Sequence, residues 1–199
     1  MTDWTIRPYR DSDEASWLRC RVLAFLGSQY YDDVKPSRTV LDEPSLALVA
    51  VRAKPAEIST PGPDQVVGIL DLEAWDDNGL RRATIDTVAT HPDHERHGIA
   101  GALLEAATPW LREQEVRALD AWTREDDAAN TWYLRHGFTK REEYLHVHKG
   151  WDEDAPGFAS PAPLTPPVTA FAHARLEDEV ALRATFSRVY RCRRYQRDL

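Results

Sequence analysis

The stretch His91-Pro92-Asp93-His94-Glu95-Arg96-His97-Gly98-Ile99-Ala100-Gly101-Ala102-Leu103-Leu104 constrains the fold more than any other part of the chain. An extended apolar run precedes it and a helical pattern follows, so it reads as a turn between strand and helix. Gly98 reaches backbone conformations that a side chain forbids, and it lets a ligand approach the main chain closely. The helix behind it opens with unpaired N–H groups and the positive end of a dipole, which together favour a bound phosphate.

The surrounding pattern places that turn in an α/β fold with a mixed sheet. Trp4 to Tyr9 reads as a first strand, and Asp11-Ser12-Asp13 supplies capping side chains for a helix over Glu14 to Leu26, with Trp17, Leu18, Val22 and Phe25 at helical spacing. Strands are expected over Leu46 to Ala53, Val66 to Leu72 and Leu80 to Thr90, with a proline-rich turn over Lys54 to Asp64 and a hairpin at Asp76-Asp77-Asn78-Gly79. Helix follows from Gly98 to about Glu115, strand from Val116 to Trp122, helix from Asp126 to His136 ending at Gly137, and strand from Phe138 to His148. Pro109 removes a backbone donor within the first of those helices, so a kink or break is expected near Ala106, with Thr108 as an alternative cap for a second helix.

Residues 1–150 read as one domain and 151–167 as a linker marked by Pro156, Pro161, Pro163, Pro166 and Pro167. Residues 168–199 form an appendage of strand (Val168 to Ala174), helix (Glu177 to Phe186) and strand (Arg188 to Tyr195). In that appendage seven arginines stand against four acids, a formal +3, whereas the whole chain is −8. Alternation would put Val189, Arg191, Arg193 and Tyr195 on one face of the last strand and Arg188, Tyr190, Cys192 and Arg194 on the other. The appendage is expected to add to the sheet of its own chain or of a partner, so a homodimer is anticipated.

Composition narrows the function classes. At 199 residues, 42% hydrophobic and 29% charged, the chain can bury a core. No apolar run approaches the ~20 residues needed to span a bilayer. The start Met1-Thr2-Asp3-Trp4 has no signal-like pattern, so a cytoplasmic location is expected. Cys20 and Cys192 provide neither a disulfide framework nor metal spacing. The acidic balance argues against a nucleic-acid surface.

Two spaced motifs then make the first 150 residues similar to the GCN5-related N-acetyltransferase (GNAT) family. Pro92, Gly98 and Ala100 fit the family's acyl-CoA loop, and Tyr133, Gly137 and Phe138 fit its tyrosine, three residues, glycine-phenylalanine helix end. The order of elements from Trp4 to His148 also resembles the family's. Two positions depart from its pattern: Glu95 stands where arginine or glutamine is usual, and Asp126 where asparagine is common.

The resemblance implies transfer of an acetyl group from acetyl-CoA, as co-substrate, to an amine. The backbone from Arg96 through His97, Gly98, Ile99, Ala100 and Gly101 would hold the pyrophosphate, Val88 and Thr90 the pantetheine arm and thioester oxygen, with Asp126 and Tyr133 completing the donor contacts. Tyr133 is the candidate proton donor to the leaving thiolate; alternatively it packs beneath Phe138. Asp86 is the candidate base; alternatively it forms a salt bridge with Arg81 or Arg82. Tyr30, Tyr31, Asp32, Asp33 and Trp75 are candidates for the acceptor pocket, where aromatic and acidic groups suit an amine cation. His91, His94 and His97 recur every three residues, yet no cysteine or carboxylate cluster completes a shell, so no metal is expected. His146 and His148 read as surface or cleft residues. An acyl-CoA-binding protein without turnover is the alternative function, and a toxin-like relative acylating aminoacyl-tRNA is disfavoured by the charge.

Overall fold

The computed structural model describes residues 3–52, 65–154 and 157–199, so the expected turn over Lys54 to Asp64 lies outside the described residues. The chain divides into two compact units, one of Met1–Ala121 with Gln196–Leu199 and one of Trp122–Tyr195.

In the first unit, strands β1 (Trp4–Pro8), β2 (Ser45–Arg52), β3 (Gln65–Asp77), β4 (Leu80–Thr90) and β5 (Ala118–Thr123) lie side by side in chain order. Neighbours are antiparallel from β1 to β4, and β5 runs parallel to β4, so the sheet is mixed. The β3–β4 hairpin turns on Asn78 (φ 53°) and Gly79 (φ 83°), the paired positive angles of the tight turn that matches strand twist. β3 runs five residues past the expected Leu72, because the ladder with β4 continues to Asp77↔Leu80.

Alternate residues of β3 face opposite layers. On one face, Ile69 packs with Val49, Val51, Val66 and Ala89 against Trp17 and Cys20 of helix α1 (Glu14–Leu26). On the other, Gly68 meets helix α2 (Ile99–Glu113), where a Cβ would overlap Ile99 Cγ2 and press on Leu103. α2 runs as one helix through Pro109, contrary to the expected break. The proline sits on the exposed side beside Glu105 and Ala106, so water serves the carbonyl it leaves. The apolar stripe of Ile99, Leu103, Leu104, Ala107 and Leu111 stays buried, and Thr108 bonds its hydroxyl back to Leu104 O (3.3 Å) instead of capping a second helix. Asp13 stands at the start of α1 but does not cap it. Its carboxylate takes two bonds from Arg7 (2.6 and 2.8 Å) and one from Arg10 N (2.9 Å). The Arg7 bond holds that carboxyl below its usual range.

The second unit holds α3 (Asp127–Arg135), β6 (Thr139–Lys149), β7 (Ala170–Ala174), α4 (Glu179–Thr185) and β8 (Arg188–Asp198). β6 lies between β8 and an antiparallel β7. The basic last strand thus adds to a sheet of its own chain. Its buried residues are Val189, Cys192 and Tyr195, every third position rather than every second, because both faces of this strand are partly covered. The arginines find acids within the unit: Arg191 with Glu179, Arg183 with Glu125, Arg193 with Glu143 and Arg194 with Glu142. His146 is buried, contrary to a surface reading. Its ring stacks on His173 (centroids 5.0 Å, 6°), edges Phe171, and accepts at Nδ1 from Arg124 Nε (3.2 Å). Burial first, then the charge of Arg124, pushes its pKa down to about 4.

Candidate active site

In the first unit the end of β4 and the start of α2 form the turn that the sequence singled out. His91 N donates to Val67 O (2.9 Å), which ties the end of β4 to β3. His91 Nδ1 accepts from Asp93 N (3.2 Å) and so caps a short turn over Pro92–His94. His91 is spent on loop geometry, and among the described residues no group of metal ligands assembles. Arg96 (φ 62°) and Gly98 (φ 76°) both take left-handed backbone. A Cβ at Gly98 would meet nothing, so glycine is there for its angle rather than for space.

α2 begins at Ile99 with no side-chain cap and no acid in its first turn. The first-turn N–H groups of such a helix have no intrahelical acceptor and point along the axis towards an incoming anion. Glu95 is exposed on the extended residue before Arg96, so its charge is solvated rather than turned under the helix end. These features fit a pyrophosphate held by backbone.

β4 also breaks its ladder where the chemistry was expected. Opposite β3 the register steps from Asp71↔Thr87 to Leu72↔Ile85, which leaves Asp86 as the extra residue of a β-bulge. Asp86 is therefore exposed, and its Oδ2 accepts from Thr87 Oγ1 (2.9 Å). The salt bridge envisaged with Arg82 does not form, because Arg82 bonds Asp120 (2.7 and 3.1 Å) on β5 instead. Beside β5, β4 pairs from Arg82 to Ile85, whose partner is Ala121; Val88 and Thr90 lie past that last pair.

The acceptor candidates are spread out. Tyr30 packs against Phe25 (5.6 Å) and Tyr31 is half exposed, but Asp33 is taken by Arg21 through both its carboxylate (2.7 Å) and its carbonyl (2.6 Å). Trp75 stands opposite Arg82 near the hairpin end of β3, seven residues from Gly68, the partner of Thr90. At ~3.3 Å per residue this is roughly 23 Å along the strand from the loop.

One residue of this unit escaped the sequence reading. Asp71 is 1% exposed, in the middle of β3. Arg38 donates to its Oδ1 from Nε (3.3 Å) and Nη2 (3.1 Å) while lying over the Tyr9 ring (4.7 Å). Its Oδ2 is buried without a hydrogen-bond partner. Burial raises its pKa from 3.8 to about 6, against the lowering pull of Arg38. A lone acid inside the apolar run Val66-Val67-Gly68-Ile69-Leu70-Asp71-Leu72 was the available signal.

In the second unit the tyrosine motif proves to be a helix terminus. Phe138 N donates to Tyr133 O (3.1 Å) and Gly137 N to Leu134 O (3.2 Å), with Gly137 at φ 80°. This is the Schellman arrangement, and its companion apolar contact is Tyr133 against Phe138 (5.2 Å, 74°). Tyr133 does pack against Phe138, and its other face stacks on Tyr195 (5.3 Å, 15°). Asp126 occupies the N-cap position of α3 without a side-chain cap bond. That helix start is secured by Asn130, a residue to which the sequence reading assigned no role. Its amide donates to Arg124 O and Asp126 O (both 2.7 Å), and its Oδ1 accepts from Tyr195 (2.7 Å) and Arg193 (3.0 Å).

Comparison with known proteins bears on both units. The profile of the Acetyltransferase (GNAT) family matches residues 3–138. A GNAT family acetyltransferase from Elizabethkingia anophelis, solved with acetyl-CoA bound, is similar with a TM-score of 0.53 and 14% identity over 100% of both chains. The ribosomal-protein-S18-alanine N-acetyltransferase from Escherichia coli gives 0.55 and 14% over 98% of this chain and 93% of its own. An acetyltransferase of the GNAT family from Staphylococcus aureus gives 0.57 and 14% over 98% and 99%. A search of curated protein sequences returned no match. With the family profile spanning most of the chain, the protein belongs to the GNAT acetyltransferase family.

Proposed function

We propose that the chain transfers the acetyl group of acetyl-CoA to a primary amine of a small molecule or peptide. The observation that carries this reading is the left-handed Gly98 ahead of an uncapped α2 without acid in its first turn. Arg96, His97, Gly98, Ile99, Ala100 and Gly101 would hold the pyrophosphate by main-chain donors, and Val88 and Thr90 would hold the arm past the β4–β5 ladder. Acetyl-CoA, when bound, supplies an activated acyl group on a thiol leaving group.

Two protons have to move. An alkylammonium with a pKa near ~10.4 has no lone pair, so it gives a proton to a carboxylate, for which Asp86 stands exposed at the bulge. The departing thiolate takes a proton from the phenol of Tyr133, a ring clamped between Phe138 and Tyr195, and the second proton that nitrogen sheds on becoming an amide restores that phenol. Tyr30 and Tyr31, on the loop after α1, are the residues we assign to acceptor contact. The exposure of Tyr31, with Tyr30 half-buried beside it, supports that role. A cytoplasmic location and a homodimer belong to the same reading. β7 is an edge strand with Phe171 half exposed, which supports association, and light scattering tests it.

The first experiment is a thermal-shift titration with acetyl-CoA, with desulfo-CoA and ATP as controls. A ligand at a hundred times its Kd stabilises a fold by about 2.7 kcal/mol, enough for a shift of a few degrees. A saturable shift with acetyl-CoA, absent with ATP, supports the pocket and justifies screening amines for thiol release. No shift at millimolar acetyl-CoA overturns the reading.

A further inference from the structure

Asp71 has no part in the reaction just described, yet its environment is that of a working acid. It is buried, one of its two oxygens lacks any hydrogen-bond partner, and the other is held by Arg38. The bulge brings a second carboxylate to it. Thr87 is the cross-strand partner of Asp71, and Thr87 Oγ1 is bonded to Asp86, the bulged residue beside it. Directly opposed strand residues have their Cα atoms about 5 Å apart, so Thr87 stands between the two acids, facing Asp71 across the ladder and bonded to Asp86. Accordingly, the charge of Asp86 is among the influences that raise Asp71.

We propose that Asp71 and Asp86 form a coupled acid pair: Asp86 receives the acceptor's ammonium group at the surface, and Asp71 holds, from behind it, the proton that the ammonium gives up. The inference rests on the amine-acetyltransferase reading and names its proton sink. One N–H bond of the ammonium breaks, its electron pair stays on nitrogen, and the proton passes to the carboxylate pair; nothing is oxidised or reduced. The charge of Asp86 opposes loss of a proton from Asp71, which favours Asp71 as the place where that proton rests. The groups facing Asp71 fit that task from each side. Arg38 and Lys35 of the loop after α1 pull Asp71 down against its burial, which leaves it able to accept a proton near neutral pH. Glu14 at the start of α1 fixes Arg38 by accepting from its backbone N–H (3.2 Å), and Tyr9 lies beneath the guanidinium. Ala47, the partner on β2, adds no charge. A base that titrates just below neutral pH is well matched to accept a proton in solution near pH 7. Asp71 acts through Asp86 and is in that sense a positioning residue.

The test has two arms, both on the full chain. In the first, the aspartate carboxyl carbons of the free protein are followed by NMR against pH. Asp71 is expected to titrate near pH 6, and Asp86→Asn to move that midpoint down by half a unit or more. A midpoint for Asp71 below pH 4, or one indifferent to Asp86→Asn, overturns the pair. In the second, spermidine, a lysine-containing peptide and an aminoglycoside are offered with acetyl-CoA, and kcat/KM is measured against pH for whichever is acetylated. Wild type should show an acid limb near pH 6. Asp71→Asn should lower kcat about 100-fold or more, in the range of lost acid–base catalysis, and abolish that limb while its acetyl-CoA thermal shift stays intact. A limb that persists in Asp71→Asn makes Arg38–Asp71 a structural ion pair and overturns the inference. Loss of the acetyl-CoA shift in wild type overturns the underlying function instead, and the carboxyl titration tells the two failures apart.

Discussion

Asp71 of the first unit and His146 of the second are both buried where charge is expensive, and they answer that cost in opposite directions. Asp71, on β3 of the first unit, is pushed up to about 6, so it takes up a proton more readily than an ordinary aspartate. His146, within the aromatic cluster of the second unit, is pushed down to about 4, so it stays the neutral imidazole at every physiological pH. The cause is the same in both, since burial disfavours the charged form. The difference lies in the neighbours. Asp71 has a cation on one oxygen and nothing on the other. His146 is satisfied at both nitrogens, by Arg124 at Nδ1 and Tyr144 at Nε2 (3.2 Å).

The comparison can be broken most directly at the chemistry. Tyr133→Phe keeps the ring between Phe138 and Tyr195 but removes the hydroxyl proposed to protonate the thiolate. Turnover should fall by about 10²- to 10⁴-fold with the acetyl-CoA thermal shift unchanged. An unchanged kcat would remove Tyr133 from the reaction.

Packing comes next. Gly68→Val in the first unit drives a side chain into Ile99 and Leu103. Overpacking of this kind costs about 1–3 kcal/mol, and since Ile99 opens α2, the acetyl-CoA shift should weaken with it. Urea denaturation gives the first quantity and the ligand titration the second.

The third prediction concerns pH and follows from the signs. Between pH 4 and 6 native Asp71 carries a proton that the unfolded chain has lost, so its contribution to stability falls as pH rises. Between pH 4 and 6.5 the unfolded chain carries a proton on His146 that the native state refuses, so that contribution rises with pH. Each amounts to roughly 3 kcal/mol over its window, and the two offset one another. Relative to wild type, Asp71→Asn should therefore become more stable on going from pH 4 to pH 6.5, and His146→Phe less stable. Parallel denaturation curves for the three proteins across that range would refute both assignments.

The smallest effect is expected at the support of Tyr133. Tyr195→Phe retains the stacked ring and loses only the hydroxyl donated to Asn130, so stability should drop by about 1 kcal/mol with kcat unaffected. A large fall in kcat would mean that the hydroxyl, and not the ring alone, positions Tyr133.

What the sequence determined by itself was local. The turn at Gly98 and the end of α3 at Gly137 were legible because each depends on a backbone angle that few residues accept and on bonds between residues a few positions apart. The Asn78-Gly79 hairpin was legible for the same reason. Only the tertiary structure decided which polar groups are buried and with whom. Arg38 reaches Asp71 across 33 positions, Arg193 reaches Asn130 across 63, and Tyr195 reaches it across 65. The bulge that exposes Asp86 is a property of the β3–β4 register, which strict alternation along β4 alone cannot express. Pro109 likewise does not break α2, because it sits on the helix's exposed side. Local angles are written in single residues, whereas burial and charge depend on the neighbours that folding brings in, and those neighbours lie far along the chain.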